Sequence, residues 1–199
     1  MFFCLSSSAL AFGPADPTSP IGAMNNSGGL SCTGATVQQS EEAQNDYWQL
    51  GYQSEYTYLY FEFAYTGITG DVCRLDVLLS KTGAPAGLVY AYIYTNNTLL
   101  TPNAPNNILV SFSSTVDAST VSASPNYTWY PFTGGNGTLT NGVTYHGVLK
   151  YATIDAENYL RCGADSTAAT ENIGRSDNGI IWTNLILSQS LSFKIYIKE

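Results

Sequence analysis

The chain has 199 residues, a net charge of −8 and only 11% charged residues, whereas an ordinary globular chain carries roughly 25%. The acidic balance excludes partners held mainly through phosphate charge, so we expect no nucleic-acid partner and no anionic membrane surface. Hydrophobic residues make up 44% of the chain, which is enough for one core, and the length suits one all-β domain.

The first 45 residues lack hydrophobic periodicity and contain Pro14, Pro17 and Pro20, which favour extended chain. They predict an arm and linker over residues 1–45, followed by a sandwich domain over residues 46–199. The tip MFFCLSSSALAFG has no basic residue ahead of its apolar run, so we expect it to be retained rather than removed as a secretory signal. Its large apolar side chains are predicted to dock on another subunit: Phe2, Phe3, Leu5, Leu10 and Phe12.

From residue 56 onward, short segments rich in aromatic and β-branched residues alternate with Gly, Pro, Asn and Asp, as in a chain of short strands. The predicted strands are residues 56–65, 72–80, 88–94, 108–115, 127–133, 144–151, 158–162, 179–183 and 191–197. No segment has sustained helical spacing, and the best helical candidate is a short turn around Asp117–Thr120. The pattern predicts an all-β fold, a two-sheet antiparallel jelly-roll sandwich with an extended N-terminal arm, in which the closing strand pairs with an early one.

Strict alternation in the strand at 72–80 separates its two faces. The apolar set is predicted to be buried together with two residues of the last strand: Leu75, Val77, Leu79, Phe193 and Ile195. Arg74 and Asp76 are predicted to face outward, because successive side chains of a strand point to opposite sides.

The four cysteines contain no CxxC pair, so zinc-ligand spacing is absent. Cys73 shares the parity of the inward residues of its strand, and Cys162 shares that of Leu160. Two outcomes are open from this pattern. One is a buried Cys73–Cys162 disulfide, and the other is a pair of free buried thiols, as expected for a protein that matures in a reducing cytosol.

Seven motifs occur in a fixed order along the chain: KTGAPAG (81–87), YIYTN (92–96), TVDAST (115–120), WYPF (129–132), LTNGVTYHGVLKY (139–151), NYLRCGADS (158–166) and LSFKIYI (191–197). In this order they resemble a jelly-roll module of phage structural proteins and bacterial surface-anchored proteins, over about 140 residues. The chain departs from the module at Cys162-Gly163, where members have a tryptophan. Any role of that tryptophan is therefore not carried over.

This resemblance implies a jelly-roll fold and a non-enzymatic structural protein of a virus particle, such as a head-decoration, fibre or tail component. The expected location is then the virion, and the expected partners are other copies of the chain and other particle proteins, reached through the N-terminal arm. Two alternatives stay open. One is an extracellular or cell-surface carbohydrate-binding module, and the other is a subunit of an extracellular filament that donates its arm as a strand.

His146 is the single histidine of the chain and therefore the ordinary candidate for a general base. It follows a predicted turn, Thr140-Asn141-Gly142, and begins a strand in which Tyr145 and His146 point to opposite faces. The sequence has no GxSxG elbow, so we interpret His146 as a packed ring and expect no catalytic residue.

Loop carboxylates offer the other route to chemistry. Asp155, Glu157, Asp165 and Asp177 are the available oxygen ligands, but no DxDxDG pattern occurs. Asp155 and Glu157 could also share a face as a hydrolytic pair, although acidic side chains in such a loop are usually solvated. We therefore expect no metal and no cofactor.

Tyr90, Tyr92 and Tyr94 lie on one face of a predicted strand. If that face packs inward, the tyrosines belong to the core, and this is the favoured interpretation. If it faces outward, they form a stripe for a surface glycan or for a neighbouring subunit, because aromatic rings with a polar tip suit such contacts.

Overall fold

The computed structural model describes residues 32–99, 103–167, 172–187 and 189–198, with side chains omitted for 184–187. These residues form two antiparallel sheets packed face to face, so the predicted two-sheet sandwich is confirmed. The strands are β1 (Thr36–Glu41), β2 (Asp46–Leu50), β3 (Tyr58–Ala64), β4 (Gly70–Thr82), β5 (Leu88–Asn97), β6 (Ala104–Ser111), β7 (Val116–Asp117), β8 (Thr128–Thr133), β9 (Thr138–Leu139), β10 (Thr144–Tyr151), β11 (Tyr159–Asp165), β12 (Asn172–Ser176), β13 (Thr183–Leu187), β14 (Ser190–Leu191) and β15 (Phe193–Lys198).

Sheet I has the order β1-β15-β4-β11-β14, with β2 paired to β11 and both β8 and β9 paired to β4. Sheet II has the order β13-β12-β3-β10-β5-β6, with β7 paired to β5. Strands that follow one another along the chain repeatedly cross between the sheets, as in jelly-roll sandwiches. The last strand pairs with β1 and β4, as predicted for the closing strand.

The described residues contain two single turns of 3₁₀ helix and no α-helix. One of these turns, Ala118–Thr120, lies where the sequence predicted a short helical turn. It begins there because the Asp117 carboxylate accepts a hydrogen bond from the Ser119 amide, which caps the first turn. The predicted hairpin turn at Thr140-Asn141-Gly142 is also present, and Gly142 has a φ of 79°.

The main core lies between the sheets and is built mostly of aliphatic and phenylalanine side chains. The five residues predicted to be buried together are all in it: Leu75, Val77, Leu79, Phe193 and Ile195. Phe193 stacks on Phe61 with ring centroids 4.7 Å apart, which joins the two sheets. Arg74 and Asp76 lie on the outer face as predicted, although Asp76 is only 2% exposed because Arg74 and Tyr196 cover it.

The predicted boundary at residue 46 is wrong. Strand β1 begins at Thr36 and pairs with β15, so the sandwich includes residues that were assigned to the arm. The sequence TVQQSE is mostly polar and none of its residues is fully buried, so it lacks the alternation that marks the other strands.

Neither of the two arrangements expected for Cys73 and Cys162, a disulfide between them or two free thiols, is present. Cys73 is bonded to Cys32, with their Cα atoms 5.5 Å apart, and Cys162 is a free, buried thiol. Cys162 lies opposite Leu79 in the pairing of β11 with β4. That position is six residues along β4 from Cys73, or roughly 20 Å at the usual rise per residue, which is far beyond the reach of a disulfide.

A β-bulge explains why the parity argument failed at Cys73. Tyr196 pairs with Arg74 and Ile197 pairs with Val72, so Cys73 is the extra residue on β4. Val72 consequently lies in the main core with Leu75, although the two differ in parity. Burial raises the pKa of the Cys162 thiol, which is therefore an unreactive core group.

Candidate binding face

The outer face of sheet II carries a group of large aromatic side chains, which we call the aromatic face: Tyr58, Tyr60, Tyr90, Tyr92, Tyr94 and Trp182. Five of them come from β3 and β5, the two strands that flank β10. Trp182 comes from the loop that leads into β13.

Alternation along β5 places its tyrosines on this face. Val89, Ala91 and Ile93 are fully buried in the main core, so Tyr90 and Tyr92 must point the other way. The favoured prediction that the tyrosine stripe packs in the main core is therefore wrong. The outward alternative describes their direction correctly.

The three tyrosines of β5 differ in how far they are covered. Tyr90 is 36% exposed, Tyr92 is half-buried and Tyr94 is only 7% exposed. Tyr94 joins Tyr60 and Val148 in a second small hydrophobic cluster on the outside of sheet II. Burial raises the pKa of Tyr94 to about 12 and also raises that of Tyr92, so both phenols are neutral at physiological pH.

Trp182 covers part of this second cluster. Its ring meets Tyr58, Tyr60 and Tyr94 edge to face, with centroid distances of 6.1, 5.4 and 5.9 Å. Edge-to-face pairs of this kind add stability beyond the burial of area. Trp182 is thus held in place by three rings while it stays half-buried and presents part of its own surface to solvent.

Gly174 lets the Tyr60 ring lie flat against the sheet. The two residues are partners in the pairing of β12 with β3, and a Cβ at position 174 would come within 2.2 Å of Cε1 of Tyr60. Any larger residue here would push Tyr60 outward against Trp182.

Lys150 lies at the end of the aromatic face where the tyrosines are most open. In the register of the sheet its direct neighbours are Tyr58 on β3 and Tyr90 on β5. Its ammonium lies 5.4 Å from the centroid of the Tyr58 ring, a distance typical of cation–π contacts. Interaction with the Tyr58 side chain raises the pKa of Lys150, which is therefore fully charged at physiological pH.

His146 lies at the opposite end of the face and is fully buried. Its Nε2 atom is 3.1 Å from Oδ1 of Asn96, and its ring packs edge to face on Tyr60 at 5.3 Å. Burial lowers the pKa of His146 to about 3, so the imidazole is neutral. Its predicted place as a packed strand ring opposite in direction to Tyr145 is confirmed, since Tyr145 lies in the main core.

A carboxylate next to His146 is held by amides. Glu62 pairs with His146 across the strands, and its two oxygens accept hydrogen bonds from the side chains of Asn103 and Asn172. Within the part of the chain that the structure describes, the imidazole bonds to Asn96 and to no Ser, Thr or Cys side chain.

A groove lies beside Trp182, between the loop at 177–182 and the antiparallel pair of β5 and β6. It is lined by Asn97, Pro105, Asn106, Gly179, Ile180, Ile181 and Trp182. Ile180 and Ile181 are 80% and 71% exposed at its rim. The sequence predicted a strand over residues 179–183, but the structure has a loop there, with β13 beginning at Thr183.

Two of the four candidate metal-ligand carboxylates, Asp155 and Asp165, accept hydrogen bonds from protein groups. Asp155 accepts hydrogen bonds from the Glu157 amide and from the side chain of Asn158. Asp165 accepts hydrogen bonds from Asn45 and Thr167. Over the described ranges, no three His, Cys, Asp or Glu side chains are grouped closely enough to hold a metal ion.

The predicted docking residues of the arm lie outside the described residues: Phe2, Phe3, Leu5, Leu10 and Phe12. The predicted glycan or subunit contact, Tyr90, Tyr92 and Tyr94, lies on the aromatic face. The sequence pattern does not predict the other three members of the aromatic face, Tyr58, Tyr60 and Trp182, or the position of Lys150 beside it. The spacing of Tyr58 and Tyr60 on β3 was the available signal, since it repeats the period of two seen on β5.

Comparison with known proteins adds no family and no relative: no protein-family model matches the sequence, and no curated protein matches it significantly. In the described part of the chain, no helix is long and apolar enough to cross a membrane.

Proposed function

We propose that this protein is a non-enzymatic carbohydrate-binding sandwich, which holds a saccharide on the aromatic face of sheet II. The observation that carries the proposal is the open end of this face, where Tyr58 on β3 and Tyr90 and Tyr92 on β5 lie on either side of Lys150 on β10. Pyranose rings present apolar C–H faces that stack on aromatic rings, and their hydroxyls need polar partners at the edges. At this end the phenol groups provide such partners. The amides of Asn97 and Asn106 line the groove beside Trp182, at the other end of the face.

Rigidity of the face supports this proposal. Tyr58 and Trp182 contact each other, and Trp182 is braced by Tyr60 and Tyr94. A platform that is already ordered loses little conformational entropy when a ligand binds. Tyrosine and tryptophan also have few rotatable bonds, so their contact area is supplied at low entropic cost.

The Cys32–Cys73 disulfide supports an extracellular or cell-surface location. Disulfides persist in oxidising compartments and are rare in a reducing cytosol. The low content of charged residues fits the same location, since hydroxyl and amide groups keep such a surface in water.

The buried state of His146 supports a non-enzymatic role. Its imidazole is fully covered, neutral and bonded to Asn96. A general base must reach the proton that it removes, and a fully covered ring does not.

Binding of the purified chain to an oligosaccharide array tests the proposal. Tyr90→Ala and Tyr92→Ala should each weaken binding of a saccharide that the wild type holds, and the double variant should lose it. Tyr47→Ala is the matched control, because Tyr47 is 37% exposed on sheet I and Tyr90 is 36% exposed on sheet II. Equal binding by all variants, or no binding by the wild type, contradicts the proposal.

The second candidate is a structural protein of a virus particle, a head-decoration, fibre or tail component that assembles through residues 1–13. It is favoured by the ordered series of motifs that resembles phage structural modules and by the uncharged, phenylalanine-rich tip. The Cys32–Cys73 disulfide attaches Cys32 to β4, so the arm would extend from a fixed point on that strand. Co-purification with capsid or tail proteins in particles would support it, and a chain found free of particles would contradict it.

A further inference from the structure

Lys150 differs from the other cations of the protein in what surrounds it. Three of the seven Lys and Arg residues form ion pairs: Arg74 with Asp76, Arg175 with Glu55 and Lys194 with Glu42. Two more bond to neutral oxygens, since Arg161 donates to Thr82 and Ser124 and Lys81 donates to the Ser119 carbonyl. Lys198 is exposed at the end of the described chain.

The Lys150 ammonium has aromatic neighbours and no anion. Across the described residues, no carboxylate lies within 4.0 Å of its Nζ atom. Its register neighbours are Tyr58 and Tyr90, and Tyr92 lies one diagonal step away. The nearest carboxylate along β3, that of Glu62, is four residues from Tyr58, or roughly 13 Å at the usual rise per residue. Asn103 and Asn172 already hold it.

Lys81 and Arg161 are also half-buried without an anion in the described part of the chain, but neutral oxygens bind them, whereas Lys150 lies among tyrosine side chains. Acidic side chains outnumber basic ones by 15 to 7, so a partner for Lys150 would be easy to supply. The flanking phenols instead leave its open side free for a ligand. An ammonium among aromatic rings is also less well hydrated than one in water, which strengthens its attraction for an anion.

We propose that Lys150 is the anion-binding position of the aromatic face and that the ligand is an acidic saccharide. Its pyranose ring stacks on Tyr90 and Tyr92, and its carboxylate binds the Lys150 ammonium. This inference rests on the proposed carbohydrate-binding function and names the class of sugar: a uronic or sialic acid rather than a neutral hexose.

The test compares matched saccharides on the full chain by titration calorimetry. The probes are oligogalacturonate and a sialylated oligosaccharide, each beside its carboxyl-reduced counterpart, at low and high NaCl. The wild type should bind at least one acidic probe about tenfold or more tightly than the reduced one, the usual scale for one charge-assisted hydrogen bond. The preference should shrink as salt screens the charge.

Three variants distinguish an effect of the Lys150 charge on binding from an effect on folding. Lys150→Met keeps the aliphatic stem and should lose the acidic preference while it keeps binding of the reduced probe. Lys150→Arg should keep most of the preference. Lys81→Met is the matched control, since Lys81 is also half-buried but lies on sheet I, and it should bind as the wild type does.

The outcomes distinguish this inference from the function on which it rests. Equal binding of acidic and reduced probes, or an acidic preference that survives in Lys150→Met, overturns the role of Lys150 and leaves carbohydrate binding in place. A stronger preference for a phosphorylated or sulfated sugar than for any carboxylate overturns the class of ligand. Failure to bind any saccharide overturns both proposals.

Discussion

His146 and Asn96 are joined by a hydrogen bond of 3.1 Å between Nε2 and Oδ1, on the outer side of sheet II. An amide oxygen only accepts, so Nε2 of the neutral ring carries the proton and donates it. The bond links β10 to β5 by side chains at the end of the aromatic face, in addition to the backbone ladder between the two strands. His146, the candidate general base of the sequence, therefore has a structural role.

This environment predicts a specific dependence of stability on pH. Burial lowers the pKa of His146 from 6.5 to about 3 in the folded state, so between these values the unfolded chain binds the additional proton. The free energy of unfolding should therefore be highest above pH 6.5. It should fall as the pH drops, by up to about 1.4 kcal/mol per pH unit.

Urea unfolding at pH 7.5, 6.0 and 5.0 measures this slope. The acidic groups with lowered pKa values, Glu42, Asp117 and Asp155, have ordinary values of 4.5 or less, so they contribute little above pH 5. His146→Gln keeps a polar group near Asn96 but cannot titrate. A slope between pH 7.5 and 5.0 that is the same in wild type and His146→Gln would assign the effect to another group.

Two buried tyrosines, Tyr151 and Tyr60, allow a matched comparison of how much a phenol hydroxyl contributes to the free energy of unfolding. The Tyr151 hydroxyl donates to the Ala86 carbonyl at 2.8 Å, whereas the Tyr60 hydroxyl has no hydrogen-bond partner among the described protein atoms. Tyr151→Phe should lower the free energy of unfolding by about 1 kcal/mol. Tyr60→Phe should change it by less than about 0.5 kcal/mol, because no protein acceptor loses its donor.

Chemical denaturation of Tyr151→Phe and Tyr60→Phe measures the change in the free energy of unfolding for each variant. Both side chains are fully buried, so the loss of one oxygen atom is measured in similar surroundings. Equal losses in the two variants would mean that the hydroxyl of Tyr60 has a stabilising partner. A larger loss in Tyr60→Phe would contradict the absence of a hydrogen-bond partner for this hydroxyl among the described protein atoms.

The Cys32–Cys73 disulfide predicts a marked difference between oxidised and reduced protein. It closes a loop with a sequence separation of 41 residues, and a loop of that length corresponds to about 4 kcal/mol in the chain-entropy treatment. Cys32→Ser with Cys73→Ser should lower the unfolding midpoint strongly. Cys162→Ala should have a smaller effect, because it removes one small buried group and no cross-link.

Thiol titration in a Cys4→Ser background checks the pairing independently of stability. The folded protein should react with no equivalent of a thiol reagent, since Cys162 is fully buried. The denatured, unreduced protein should react with one equivalent. Reaction of three equivalents in denaturant would show that Cys32 and Cys73 are not bonded.

The sequence specified the sandwich well because alternation reports directly on which side chains share a face. For strand β4 the inward and outward residues are predicted correctly, apart from Cys73. The bulge there reverses the alternation of side chains, and no residue type in the sequence signals it. Strand β12 was missed because its sequence NIGRS contains one large apolar residue, Ile173, and is ordered mainly by its neighbours β3 and β13.

The binding face was harder to predict for a physical reason. Alternation on β5 separates Tyr90, Tyr92 and Tyr94 from Val89, Ala91 and Ile93, but both sets are large enough to fill a core. Which set faces the other sheet is decided by packing between sheets, a long-range property. Trp182 was assigned to a strand because GIIWT is rich in β-branched and aromatic residues, whereas in the structure this segment covers rings on the outside of sheet II.

Deletion of residues 1–13 tests the predicted docking of the arm. The sandwich begins at Thr36 and its first cross-link at Cys32, so the deletion leaves every described contact in place and should not change the thermal midpoint. The deleted segment contains three Phe and two Leu, each of which gains about 1.5–3 kcal/mol when it is buried against a partner. The truncated chain should therefore stay folded and monomeric while the full chain self-associates or enters particles, as measured by light scattering and sedimentation. Replacing Phe2, Phe3 and Phe12 by Ser in the full chain should have the same effect as the deletion.

Unchanged assembly of both altered chains would contradict docking through the arm, and a lowered thermal midpoint would mean that the arm packs on its own sandwich.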